Sequence, residues 1–206
     1  MEFVSFEDAW RLLRPLGIEV VSQSENELRL SISESPQSSC IDVASTDHAQ
    51  AKSFPSEVVQ LDRKQIGDTI EAIVHKLRLT QVYVIPIGHW RQLFEAVAAG
   101  MATNEQWRAI DSAAIVELNT RDPLLFVPAN FHILRDLVRV ILTAGTAPVH
   151  GISITTVKTP LLIEIVPAGE ISVFTARTEL AHVVREVLLH PHGSAKPSAT
   201  PATPKD

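Results

Sequence analysis

At 206 residues, with 45 % apolar and 20 % charged side chains, the chain can bury one sizeable core and suits neither a disordered nor a fibrous protein. Its formal charge of −6, from 24 acidic against 18 basic residues, repels nucleic acid and anionic lipid heads, and no basic run offers a local exception. The lone Cys40 excludes an internal disulfide and any zinc site of the paired-cysteine kind, and no apolar stretch approaches the ~20 residues a membrane helix requires.

The N-terminal "MEFVSFEDAWRLL" carries acids where a signal peptide would be apolar, so the expected location is cytoplasmic. Ser5 reads as an N-cap with Asp8 three places on. Phe6, Ala9, Trp10 and Leu13 define one apolar helix stripe, ended by Pro15 and Gly17. "GIEVVS" and "ELRLSIS" follow as a hairpin whose Leu28, Leu30 and Ile32 alternate with polar partners. From 33 to 55 only "CIDVA" has strand character, and Cys40 reads as a small apolar residue starting it rather than as a nucleophile.

Order returns at "LDRKQIGDTIEAIVHKL". Asp62 and Gln65 have capping-box spacing, and Ile66, Ile70, Ile73, Val74 and Leu77 repeat as one stripe. The strand "QVYVIPIG" then runs into a helix over 89–99, and a further helix begins where Thr103 and Gln106 repeat the capping-box spacing. "AAIVEL" and "PLLFV" flank the turn "NTRD" and predict a hairpin. "NFHILRDLVRVILTAG" reads as a helix with Gly145 at its C-terminal stop. "GISITTV", "LLIEIV" and "EISVFTA" read as a three-strand meander, and "TELAHVVREVLL" as a closing helix. The tail 194–206 has three prolines and no large apolar residue, the composition of a disordered segment.

The expected fold class is therefore α+β: a mixed, mainly antiparallel sheet of hairpins and a C-terminal three-strand meander, packed with amphipathic helices. The expected organisation is an N-terminal helix-hairpin subdomain with its connecting region over 1–54, a main α+β domain over 55–193 and a disordered tail over 194–206. A helix, meander and helix in this order outlines small adaptor-like and chaperone-like domains, although an outline carries no function by itself.

Two places gather polar chemistry. At the strand-to-helix joint, Gly88 and His89 offer backbone N–H groups and a helix dipole to an anion, with Arg91 adding charge. The bland reading is that Gly88 relieves a turn, His89 caps the helix and Trp90 anchors it, since the joint lacks a G-x-G-x-x-G or P-loop context. At the "NTRDP" tip, Asn119, Arg121 and Asp122 supply an acid and an anion clamp if the tip lies beside His89, or simply build a tight turn. His182, Glu186 and His190 recur every four residues on the last helix, but the outer two are ~12 Å apart along the axis and cannot share one ion.

With no G-x-S-x-G, H-E-x-x-H, C-x-x-C or dinucleotide fingerprint present, the expected function is a non-catalytic protein-interaction or adaptor- and chaperone-like domain. Its expected partner is a protein or a second copy, through a sheet edge or the last helix, with no cofactor, metal, nucleic acid or membrane. The alternative is a small-molecule enzyme or ligand-binding domain with an anion site formed by Gly88, His89, Arg91, Asn119, Arg121 and Asp122.

Overall fold

The computed structural model describes residues 1–44, 56–113, 121–167 and 170–190. Their apolar positions sort with period two along the strands and period 3.6 along the helices, and the result is one sheet with a layer on each face. In chain order the elements are β1 (Glu2–Phe3), α1 (Phe6–Leu13), β2 (Ile18–Gln23), β3 (Leu28–Ile32), β4 (Ser39–Ala44) and β5 (Ser56–Gln60). Then come α2 (Ile66–Lys76), β6 (Val82–Pro86), α3 (Trp90–Met101), α4 (Glu105–Ala113), β7 (Leu124–Phe126) and α5 (Phe131–Ala144). The chain closes with β8 (Ile152–Thr155), β9 (Leu161–Val166), β10 (Glu170–Thr175) and α6 (Thr178–Leu189).

Eight strands form the main sheet in the order β1-β7-β6-β8-β9-β10-β4-β5, and β2 pairs with β3 in a separate hairpin. Every neighbour in the main sheet is antiparallel except β4 and β5, which run parallel. The expected α+β class, hairpin and three-strand meander are thus present. The expected division at residue 54 falls between β4 and β5, two hydrogen-bonded neighbours of one sheet.

The two faces bury different clusters. Val82 and Val84 of β6 face α2, α3, α5 and α6 together with Val43, Val59, Ile163, Ile165 and Val173. Tyr83 and Ile85, one residue out of phase, face α1 and the hairpin with Cys40, Leu125, Leu162 and Phe174. Because β6 is covered on both faces, its sequence is a continuous apolar run rather than an alternation. Burial of each such side chain contributes about 1.5–3 kcal/mol. Cys40 is buried, as its reading as a small apolar residue requires.

Several local expectations change. Residues 56–60, between the connecting region expected over 33–55 and the helix-bearing stretch from Leu61, form a strand in which Val59 is buried and Val58 is exposed on the other face. Asp62 does not start α2. Its carboxylate accepts from the N–H of Lys64 in a turn, and the helix begins at Ile66. The cap of α4 is Asn104, not Thr103, since Asn104 Oδ1 accepts from the N–H of Trp107 at 2.9 Å. Gly145 ends α5 with extended rather than left-handed backbone. A β-carbon there would lie 2.6 Å from the carbonyl oxygen of Ile141 and from Pro167 Cγ, so close approach explains the glycine.

Ala113 belongs to α4, and 114–118, the rest of the expected strand "AAIVEL", lie outside the described residues. Both edges of β7 are taken, by β1 and β6, so "PLLFV" pairs with those strands. The tail also lies outside the described residues. Among the described residues no helix is long and apolar enough to cross a membrane.

Candidate functional site

The joint after β6 is built from backbone demands. Pro86 ends the strand without an N–H, and the chain then turns: Ile87 donates to the carbonyl of Gly151 at 3.0 Å and Gly88 to that of Val149 at 3.1 Å. Gly88 is required by space, because a β-carbon would lie 2.6 Å from the Val149 carbonyl oxygen and would also strike Gln92 Oε1. His89 caps α3. Its side chain accepts from the backbone N–H of Gln92, and its own N–H donates to Gln92 Oε1 at 2.9 Å.

His89 Nε2 lies 2.8 Å from the carbonyl oxygen of Glu25, which can only accept, so Nε2 carries the proton and the other ring nitrogen serves the cap. Arg121 meets the same corner from the other side. Its Nε donates to the Gly88 carbonyl at 3.0 Å, and its Nη2 to those of Ser24 at 3.1 Å and Glu25 at 3.0 Å. Burial lowers the Arg121 pKa from its ordinary value, while a guanidinium in this range stays charged at neutral pH.

Asp122 works beside it. One carboxylate oxygen accepts from the N–H of Phe6 at the start of α1, and its carbonyl accepts from Trp90 Nε1, both at 2.8 Å. Trp90 is fully buried and meets Phe3 edge-on at a centroid distance of 5.4 Å. The structure therefore brings Gly88, His89, Arg121 and Asp122 to one corner. Arg91 stands exposed on the first turn of α3, and Asn119 lies outside the described residues.

Chemically this corner is a fastener. An anion needs free donors, yet the N–H groups of Gly88 and His89 and three donations from Arg121 already reach acceptors of the chain itself. A general base needs a free ring nitrogen, and both nitrogens of His89 are engaged. What the contacts do is join three segments: the β2–β3 turn, the β6–α3 joint and the approach to β7.

A second polar group was not singled out in the sequence. Ser153, Glu164, Ser172 and Asp42 stand directly opposite one another on β8, β9, β10 and β4, forming a row across the face that also carries the hairpin. Arg29 of β3 reaches Glu164 at 2.6 Å and Glu27 at 2.6 Å, and Ser172 Oγ donates to Asp42 at 2.7 Å. Ser153 Oγ is the one buried side-chain polar atom among the described residues with no hydrogen-bond partner. The signal for this row is the charge inside "LLIEIV", an acid in an otherwise apolar strand, which is matched from the hairpin by Arg29.

Polar residues of the last helix and Cys40 also have partners. Glu186 on α6 pairs with Lys76 at 3.5 Å, His182 Nδ1 lies 3.3 Å from Arg185, and Cys40 Sγ is 3.6 Å from Asp42 Oδ1. No group of three or more His, Cys, Asp or Glu among the described residues is placed to hold a metal ion. In comparison with known proteins, the chain matches no family model, no curated protein and no solved structure.

Proposed function

We propose that this chain is a non-catalytic, cytoplasmic protein-interaction domain of adaptor or chaperone-like type that works as a homodimer. The observation that carries this reading is β5, an edge strand that among the described residues is bonded to β4 on one side only, and whose Val58 is 53 % exposed. An edge of this kind is a template for another chain unless it is blunted or covered. The amphipathic last helix is a poorer contact surface, because its Ala181, Val184, Val187 and Leu188 are already buried against the sheet. Light scattering on the native chain at micromolar concentration tests the reading. Twice 22.6 kDa is expected, and a clean mass of 22.6 kDa would contradict it.

The second reading, an anion-binding domain at the corner of Gly88, His89, Arg91, Asn119, Arg121 and Asp122, is favoured by the proximity of four of these residues. It requires Arg121 to release three backbone carbonyls when ligand binds. Titration calorimetry with inorganic phosphate separates the two: no heat is expected from the interaction domain, and saturable binding lost in Arg121→Met would favour the anion site.

A further inference from the structure

Resting on the self-association just proposed, we infer that two copies join β5 to β5 antiparallel about a twofold axis through Val58, so that the two eight-stranded sheets become one. The main sheet has two ends, and they are not equivalent. At one end β1 is two residues long, too short to template a neighbour, whereas β5 offers five. Val58 and Leu189 are two of the four large apolar side chains that stand exposed among the described residues, and both lie at the β5 end. Arg185 of α6 grips Glu57 of β5 at 2.6 Å, and Leu189 follows four residues later, about 6 Å along the same helix stripe.

Symmetry then selects the register. Antiparallel edge-to-edge pairing places the twofold normal to the sheet, so each face continues across the junction and the axis must pass through a residue rather than between two. An axis through Glu57 opposes two carboxylates, which is destabilising. An axis through Val59 sets Val58 against Gln60 and leaves the exposed valine with a polar partner. An axis through Val58 sets Val58 against Val58, Glu57 against Val59 and position 56 against Gln60, with no like charges opposed. It covers the exposed valine with its own copy, and each Glu57 keeps the Arg185 of its own chain.

Cysteine cross-linking in the full chain tests this, with Cys40→Ala removing the native thiol and circular dichroism checking the fold. Residues directly opposite across an antiparallel pair have Cα atoms about 4.5–5.5 Å apart, inside the about 4.4–6.8 Å span of a disulfide. Gln60 and its copy are displaced by four residues, about 14 Å. Val58→Cys is expected to cross-link to a dimer under mild oxidation and Gln60→Cys is not. Val58→Lys, which opposes two ammonium groups at the axis, is expected to fold and to lose the dimer mass. A native dimer in which Val58→Cys fails to cross-link, Gln60→Cys cross-links to itself, or Val58→Lys stays dimeric would overturn the β5 junction and leave self-association standing. A native chain that is monomeric by light scattering would remove both.

Discussion

Arg121 is the residue on which the corner depends, because one planar guanidinium serves the carbonyls of Ser24, Glu25 and Gly88 at once. A lysine ammonium is a point charge on a flexible stem and cannot reproduce that fork. Arg121→Met is expected to lower stability by about 1–3 kcal/mol in urea unfolding, the usual cost of stranding hydrogen-bonded partners, and Arg121→Lys to restore little of it. Full stability in either variant would show that the three contacts fasten nothing. Tyr83, the chain's single tyrosine, reports on the sheet face that carries α1 and the hairpin. Burial first, and the Asp8 carboxylate second, raise its pKa above the ordinary value. The folded state therefore holds the phenol proton more tightly than the unfolded chain does. This stabilisation is present below the unfolded value of about 10 and is lost as pH rises through the folded one. Absorbance at 295 nm is expected to titrate above pH ~10 in the native protein and to return to ~10 in denaturant, and a native midpoint at or below the denatured one would contradict the packing of α1 over β6.

At the level of elements, α1 shows how two distant segments share one task. Ser5 accepts from the N–H of Asp8 at 3.1 Å, while Asp122, from the approach to β7, accepts from that of Phe6. With the helix start held twice, Ser5→Ala is expected to cost only about 0.5–1 kcal/mol, the low end for an N-cap, and a loss well above 2 in urea unfolding would mean that Asp122 does not share the role. Both the Ser5 cap and the full extent of α6 were legible from local spacing alone. So was the meander of β8, β9 and β10, because each strand is an apolar run closed by proline or glycine. Strands β1 and β5 were not. Two residues make no period, and in β5 the valine on the open side of the sheet breaks the alternation that burial would impose. The corner was half legible. The residue types at 88–91 and 119–122 declared a joint and a turn, but the acceptors that bring them together are backbone carbonyls of the β2–β3 turn, 96 residues before Arg121 in the case of Glu25, and a carbonyl has no signature in a sequence. The polar row stayed hidden for the same reason, since Asp42, Ser172, Glu164 and Ser153 become neighbours only through register.

For the whole molecule, the sheet carries a layer on each face, is short at the β1 end and leaves Val58 of β5 exposed, so among the described residues the β5 edge is where its hydrogen-bonding pattern stops while still five residues long. Among the described residues its outer edge has no strand partner, and the proposed role turns on whether a second chain supplies one. Amide hydrogen exchange measured as a function of protein concentration reads those groups directly. Exchange at 57–60 is expected to slow as concentration rises through the dimerisation range, while that at Glu2 and Phe3, on the opposite edge, stays unchanged. Fast exchange at 57–60, independent of concentration, would contradict the account.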